Sequence, residues 1–476
     1  MLKIKIIYLH LLNNIKKSNM KKIIFIICIL SVLAIFAQDH FGGVNTSRRV
    51  GLLNVGMNPS ELINIGNKFE IQGGAISVNL SNNKVGFKDI VERKNLKAIV
   101  FDGNETLNFN VNAQLALVGV GFKAFGWGFA LTSNAFIQGN ATDLDPSFGR
   151  NVTIDNTTQD VNLKIGSDLN QRFNSATWGE VGISAARKVF EKGDHLINAG
   201  ITLKLLFPGA YSNVGINRLS ANINSYIPST DLYLSNINNA VLNFSYSGSL
   251  VNNFIDTNSY TKVIFGGLNG FGTDLGANYI WKKSGNSYKL KAGASVRNIG
   301  SMTFAGDQNQ SSNYRLSILP GTALQRGLNF NVFENVTNFQ TLETALLAQN
   351  GANGVTFVKI DQSKEFKVKL PTVVNFYADY NFTSKFNLTM FLQRKVGSNN
   401  DNDQIATENI FSITPRVNLG FFETYVPLSF NEFAGTTAGV GFRLGGFFLG
   451  SNSILTAVIS DSKQADLYVG FRVGFL

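Results

Sequence analysis

The chain has one cysteine among 476 residues, Cys28, and this residue lies in an apolar N-terminal segment. A mature chain without that segment has no thiol, so it can form neither disulfides nor a thiolate metal site. Histidine is also scarce, and neither His40 nor His195 has a convincing serine partner in the sequence. These shortages disfavour a hydrolase. We therefore expect no enzymatic activity, no cofactor and no metal site.

The N-terminus has the three parts of a secretion signal. Met20-Lys-Lys is followed by the apolar run Ile23 to Phe36 and by the small residue Ala37. We predict a signal peptide over residues 1–37, with Met20 as the true start. Its removal takes away six lysines and no acids, so the formal charge falls from +11 to +5. A nucleic-acid partner is therefore not expected.

No run of about 18 or more apolar residues follows the leader, which excludes helical membrane spans. The sequence has only 8 prolines but 46 glycines and 39 phenylalanines, and no sustained helical periodicity, so it favours many strands. Several segments alternate between apolar and polar residues, the longest over residues 366–382. The final strand, Leu467–Phe475, sets an apolar face against a small or polar face. This arrangement is typical of a wall between lipid and a wet lumen.

A soluble β-sandwich also alternates, but two features favour a barrel. The strands are ~10 residues or longer, and short connections alternate with long ones. Aromatic residues flank the short connections, which we expect to face the periplasm because the last strand must run inward. We predict an all-β, single-chain transmembrane antiparallel β-barrel of about 14 strands over residues 68–476, in the bacterial outer membrane. A further crossing at Leu219 to Leu234 would give 16. The long extracellular loops are expected at residues 141–175, 213–269 and 305–365.

Residues 38–67 precede the first strand and contain a helix start. Asn58 can cap, Pro59 suits the first helical position, and Glu61 stands where a capping-box acid belongs. The pattern predicts a short helix from Pro59 to Ile65. Two placements stay open: a helix packed beneath the barrel, or a plug that enters the lumen.

The segment Gly56-Met-Asn-Pro-Ser-Glu-Leu62 resembles the Gly-x-Asn-Pro-Ala element of barrels related to the long-chain fatty-acid transporter. It is also similar to that of an uncharacterised Bacteroidota barrel family, whose C-terminal half resembles Lys367–Thr372, Thr414–Arg416 and Gly439–Gly450. Ser60 stands where the element has Ala. The resemblance implies an outer-membrane barrel with an N-terminal plug that admits hydrophobic or amphipathic molecules.

Basic residues in the C-terminal half share the face that alternation directs into the lumen. They form either an anion-binding wall or structural partners of Asp379, Glu180 or the plug. The predicted basic wall consists of Lys289, Lys291, Arg297, Lys367, Lys369, Arg416, Arg443 and Arg472.

Three prolines interrupt strands, at Pro371, Pro415 and Pro427. Each removes a ladder donor, so we expect either a bulge or a weak seam through which an apolar solute could leave sideways. The run Ser398 to Asp403 carries oxygen ligands suited to Ca²⁺, although a solvated loop is the preferred interpretation.

Two functions follow from these predictions. The first is a transporter or channel for small hydrophobic or amphipathic molecules. The second is a non-transporting anchor whose outer loops bind a partner protein or ligand at the cell surface. In both cases outer-membrane lipid surrounds the wall.

Overall fold

The computed structural model describes residues 40–47, 51–147, 162–226, 231–247, 266–283, 288–306, 309–333 and 336–475. The predicted signal peptide lies outside these residues. Within them, no helix has both the length and the apolar character that a membrane span requires.

The described residues form one antiparallel sheet and seven short helical segments. The helices are α1 (Leu53–Met57), α2 (Phe87–Val91), α3 (Leu96–Phe101), α4 (Phe339–Leu347) and α5 (Ile454–Ile459), with 3₁₀ turns at Pro59–Asn64 and Phe330–Phe333. The strands are β1 (Phe69–Asn82), β2 (Leu107–Ala116), β3 (Gly119–Ala124), β4 (Trp127–Leu144), β5 (Asn162–Lys192), β6 (His195–Ser225), β7 (Leu232–Ser235), β8 (Ile237–Ser247), β9 (Gly270–Lys282), β10 (Tyr288–Ala305), β11 (Gln310–Ile318), β12 (Leu328–Asn329), β13 (Val355–Ser363), β14 (Glu365–Lys369), β15 (Val373–Asn381), β16 (Phe386–Lys395), β17 (Ile410–Leu419), β18 (Phe422–Tyr425), β19 (Leu428–Asn431), β20 (Gly435–Ala438), β21 (Val440–Leu444), β22 (Phe447–Ser451) and β23 (Gln464–Phe475).

Fourteen crossings close into a ring in which every neighbouring pair is antiparallel. Four crossings consist of two segments each: β2 with β3, β14 with β15, β18 with β19, and β20 with β21. The ring closes where β1 pairs with β23, with Phe69 opposite Phe475 and Ser81 opposite Gln464. The predicted all-β barrel class is confirmed, and the ring agrees with the prediction of about 14 strands.

The wall inverts the burial pattern of a soluble protein. In β1, Ile76 and Val78 are each 44% exposed, whereas their neighbours Ser77 and Asn79 are 2% and 1% exposed. Apolar side chains therefore point away from the ring and polar side chains point into it, as in a wall that faces lipid.

The two ends of the barrel differ. One end has tight connections such as Phe125–Gly126, Gly193–Asp194 and Gly445–Gly446. Aromatic rings gather there on the outer surface, with Phe122 and Trp127 both packed against Phe129. We call it the short-turn end.

The opposite, long-loop end carries a folded extension. Here β5 and β6 continue beyond the ring and pair onward with β8, β11 and β13. This outer subdomain has its own apolar core, which includes Ile223, Phe244, Tyr314 and Phe357, with Leu346 of α4. Most described residues of the three predicted long loops lie in strands or helix. The extended sheet has an apolar face, and α4 packs on that face.

The alternation of apolar and polar residues is broken at two places, and three lysines of the predicted basic wall therefore do not face inward. The run 366–382 divides at Pro371 into β14 and β15, and the inward face changes parity there. Val368 is consequently buried, whereas Lys367 and Lys369 are exposed on the opposite face. Around Lys289, the pairing of β10 with β9 shifts by one residue. Its ammonium lies 4.2 Å from the Trp281 ring centroid at the short-turn end. The inward positions predicted for these three lysines are wrong.

Candidate functional site

The N-terminal segment, residues 40–47 and 51–67, contacts inward-facing side chains and lies inside the ring. Its 3₁₀ turn packs on β4, β5, β6 and β9. Asn58 caps the turn by accepting hydrogen bonds from the Ser60 amide (2.9 Å) and hydroxyl (2.7 Å). The same side chain donates to the carbonyls of Ala277 and Ala294 at 3.0 and 3.1 Å. Asn58 therefore both starts the turn and fixes it to the wall.

Glycines allow this close approach. A Cβ atom on Gly200 would lie 2.5 Å from the carbonyl carbon of Pro59, and one on Gly276 would lie 2.0 Å from Oδ1 of Asn58. Neither position has room for a larger side chain while the segment is seated. The wall glycines thus form a track for the Asn58–Pro59 turn.

Glu61 is the charged anchor of the turn. The residue is 1% exposed, and its Oε2 lies 3.0 Å from Nζ of Lys291. Its Oε1 accepts from the hydroxyl of Tyr377 and from Asn278 at 3.2 Å. The negative charge of a buried carboxylate is compensated when a cation and several hydrogen-bond donors surround it. Removal of the cation leaves that charge without compensation.

Three more basic residues of the predicted wall contact either the start of the N-terminal segment or the acidic side chains that bind it. Arg416 donates to the carbonyl of Gly43 (3.1 Å) and the hydroxyl of Thr46 (2.8 Å), and it lies 3.8 Å from Asp379. Arg443 lies 3.6 Å from Glu423, whose other oxygen accepts from Ser47 at 2.8 Å.

Arg472, in the last strand, lies 2.8 Å from Glu70, which accepts from the Leu52 amide at 2.8 Å. Lys291, Arg416, Arg443 and Arg472 are therefore all paired with buried acids around the N-terminal segment. Arg297 instead faces the space beyond the segment.

A second element enters the lumen from the long-loop end. The inward loop, residues 397–409, connects β16 and β17 and is bound to the wall mostly through its backbone. Arg172 is 0% exposed and donates to the carbonyls of Asn399 (2.5 Å) and Gln404 (3.0 Å). Tyr211 donates to the carbonyl of Asn402 at 2.7 Å.

The sequence predicts a long connection at Gly397 to Asn409, but not that it folds into the lumen or that Arg172 is its main anchor. Arg172 stands inside the stretch predicted as an extracellular loop, and the carbonyls that it binds leave no trace in the sequence. The preferred interpretation of Ser398 to Asp403 as a solvated loop is corrected in part. Asn399 is buried, whereas Asp401 and Asp403 are exposed.

Glu408 closes the base of the inward loop. Its Oε1 accepts from Ser81 and Asn110, each at 2.8 Å. Burial raises the pKa of the Glu408 carboxyl to about 7, partly offset by these two donors. Glu432 raises this pKa further and Lys395 lowers it, and those two residues form an ion pair of 2.6 Å.

Apolar side chains line the lumen beside the inward loop. Trp178, Leu206, Phe304 and Val368 form a buried cluster with Ile405 of the loop. The ring of Trp178 stacks on Phe136, with centroids 4.7 Å apart. These rings border the space between the N-terminal segment and the inward loop.

That space is the central cavity. Its lining includes Leu53 and Met57 from the N-terminal segment, Thr407 from the inward loop, and Arg297 from the wall. The volume open to the centre of a water molecule is about 140 Å³. Such a volume holds on the order of ten water molecules.

The three strand prolines lie at interrupted places in the wall. Pro371 separates β14 from β15 and borders the central cavity, and its carbonyl accepts from Asn298 at 3.3 Å. Pro427 separates β18 from β19, and its carbonyl accepts from Gly439 at 2.9 Å. Pro415 stays within β17, where its carbonyl accepts from Val426 at 3.1 Å. Their carbonyls are therefore bonded, although each proline lacks a donor.

No group of three or more His, Cys, Asp or Glu side chains in the described ranges is placed to hold a metal ion. His195 lies at the short-turn end, 2.6 Å from the hydroxyl of Tyr279. His40 contacts Ser77 at 2.9 Å inside the ring, and burial lowers its pKa to about 4.

The family described as being of unknown function, DUF5723, has a model that matches residues 65–452. No curated protein matches the chain in sequence.

Solved structures similar to this chain include bacterial channels and transporters. A mutant of the monoaromatic hydrocarbon channel TodX is 11% identical, with 89% of this chain and 95% of that chain covered and a TM-score of 0.45. The Ralstonia pickettii toluene transporter TbuX is 11% identical, with coverage of 93% and 97% and a TM-score of 0.40. A Pseudomonas aeruginosa FadL homologue is 7% identical, with coverage of 92% and 98% and a TM-score of 0.23. At these TM-scores the similarities carry no argument about what passes through the barrel.

Proposed function

We propose that this chain, which belongs to the family of unknown function DUF5723, is a gated channel or transporter of the bacterial outer membrane. One observation carries the proposal: a cavity inside the ring is bounded on one side by the N-terminal segment and on the other by the inward loop. A barrel that served only as an anchor needs no internal space between two separately bound closures.

The membrane placement is supported by the wall. The outward face is apolar, with side chains such as Leu131, Ile183 and Phe376 about half exposed. Aromatic rings mark the short-turn end, where an interfacial girdle is expected. With the predicted signal peptide, these features favour the outer membrane, with the short turns in the periplasm.

The N-terminal segment acts as the plug in this proposal. Asn58 and Pro59 seat it on the glycine track, and Glu61 ties it to Lys291. It also packs on the wall through apolar side chains such as Phe41 and Leu62, and all of these contacts are non-covalent, so it can move without unfolding the wall. The hydrophobic or amphipathic solutes implied by the family resemblance are one substrate class. The apolar cluster beside Pro371 would offer such a solute a lateral seam, and full amide protection through Val368 to Asn375 in hydrogen exchange would exclude that route.

A reversible disulfide between the plug and the wall tests whether the plug moves. Nδ2 of Asn278 lies 2.8 Å from Oγ of Ser60, so cysteines at these positions would join plug and wall. A mature chain without the leader has no other thiol. In proteoliposomes containing Ser60→Cys/Asn278→Cys, we expect solute flux to stop under oxidation and to recover with dithiothreitol. Each single-cysteine variant is the matched control. Equal flux in the oxidised and reduced double variant would contradict a moving plug.

A second function is favoured by the outer subdomain. Its core, which includes Ile223, Phe244 and Phe357, is separate from the barrel lumen and gives the extension a fixed surface. Such a surface suits a partner protein or ligand outside the cell, with the barrel as an anchor. Absence of flux in every variant, together with saturable binding to the outer subdomain, would favour this function.

A further inference from the structure

We infer that the central cavity is a binding site for a neutral, polyhydroxylated solute of about the size of one sugar ring, which Asn79 and Trp178 contact. This inference rests on the proposed channel function and names its substrate class. It departs from the hydrophobic class that the family resemblance implies.

The cavity lining is rich in amides. Ten asparagine and glutamine side chains border it, and β1, β2 and β4 supply seven of them. The run Asn110, Asn112 and Gln114 owes its inward direction to the alternation of β2, and Asn134 and Gln138 face inward from β4. An amide offers a donor and an acceptor together, which is what a hydroxyl group requires.

Asn79 and Trp178 are among the lining side chains that keep polar atoms without a protein partner in the described residues. The side chain of Asn79 is 1% exposed, and neither its nitrogen nor its oxygen is hydrogen-bonded within the described residues. Trp178 is 4% exposed, and its Nε1 is likewise unpaired there. A buried polar atom left unpaired costs about 1–3 kcal/mol, so these groups favour a ligand that can pair with them.

The charges of the cavity balance. Lys204 lies 3.3 Å from Glu180 and 2.9 Å from Asp274, which leaves one excess acid in that cluster. Arg297 supplies the remaining cation. Two positive and two negative groups give no net attraction for an anion or a cation, which favours a neutral solute over a fatty acid.

An aromatic platform completes the site. Phe136 and Trp178 stack at an interplanar angle of 15°, and both border the cavity. The C–H face of a sugar ring can pack on such a surface while its edge hydroxyls meet the amides. A purely apolar solute would use the platform but would leave Asn79 buried and unpaired.

The tryptophan distribution provides a specific reporter. The chain has three tryptophans, and Trp127 and Trp281 both lie at the short-turn end. The Trp127→Phe/Trp281→Phe background leaves Trp178 as the sole tryptophan. Its fluorescence is titrated with D-glucose, D-xylose, N-acetyl-D-glucosamine and myo-inositol as neutral probes, and with laurate and benzoate as apolar anions. The titrations are repeated with Lys291→Met added, so that a closed plug does not hide the site.

We expect a saturable change with at least one neutral probe, with a Kd of about 1 mM, and none with laurate or benzoate. Asn79→Leu should weaken binding about tenfold, whereas Asn222→Leu, in the outer subdomain, should leave it unchanged. Heat-modifiable migration on a gel verifies that each barrel is folded. If Asn79→Leu does not fold, Asn79→Ala and Trp178→Phe are compared by isothermal titration calorimetry.

The inference is overturned if none of the four neutral probes gives a saturable response in either background, or if laurate alone does. It is also overturned if Asn79→Leu, Asn79→Ala and Trp178→Phe all bind like the parent. Binding without flux in any variant would sustain the site and reject the channel. Flux of a neutral probe without saturable binding would sustain the channel and reject the site.

Discussion

The two closures of the lumen are held by different chemistry. The N-terminal segment depends on charge pairs, of which Glu61 with Lys291 is the most enclosed. The inward loop depends on neutral acceptors, mainly its own carbonyls, around the single guanidinium of Arg172. The first closure should fail when a charge loses its partner, and the second when a donor is removed or Glu408 ionises. The two can therefore be opened independently.

The largest expected effect is the loss of the plug cation. Lys291→Met leaves the Glu61 carboxylate buried without its partner, which should destabilise the seated segment by about 3–5 kcal/mol. Hydrogen exchange at the amides of Ser60 and Glu61 measures this directly, since both bond to Asn58.

Lys289→Met is the matched control for that variant. Lys289 stands two positions away on the same strand but contacts Trp281 at the rim. Its substitution should leave exchange at Ser60 unchanged. Equal protection in Lys291→Met and the parent would show that the charge pair does not hold the plug.

The next effect concerns the inward loop. Arg172→Met removes donors from two carbonyls and from Oδ1 of Asn213, which should release the loop at a cost of about 4 kcal/mol. Exchange at the Gln404 and Thr407 amides should rise while exchange at Ser60 stays the same. Arg315→Met, at an exposed position of β11, is the control. Parallel changes at both closures would mean that they open as one unit.

A pH effect should also separate the closures. Because burial raises the pKa of Glu408 to about 7, the folded loop binds its proton more tightly than the released loop does. Closure is therefore most stable below about pH 4.5 and weakens as the pH rises to about 7, by about 3 kcal/mol in total. Exchange at Thr407 should follow this curve, and Glu408→Gln should flatten it. A pH-independent parent would exclude Glu408 as the titrating group.

The sequence predicts the barrel better than the closures, for a physical reason. A lipid-facing wall imposes period-two alternation on every crossing, so Lys291 and Arg416 can be placed inside the ring from local pattern alone. A single bulge is enough to defeat that pattern, as at Lys289, and a proline break inverts it at Lys367. Arg172 was missed because the two loop acceptors that it binds are backbone carbonyls more than 200 positions away. Such contacts depend on where the chain folds back, not on residue type.

The smallest expected effect tests the corrected face of β14. Lys369 pairs with Asp403 at 2.9 Å, but both side chains are about half exposed, so water screens the pair. Lys369→Met should change the exchange of the inward loop by less than about 0.5 kcal/mol, against about 4 for Arg172→Met. Lys369 and Arg172 both contact the inward loop, Lys369 from a solvent-exposed position and Arg172 from the buried face of the wall. A large effect of Lys369→Met would indicate that the Lys369 side chain faces the lumen. It would then support the unbroken alternation across Pro371 that the sequence predicts.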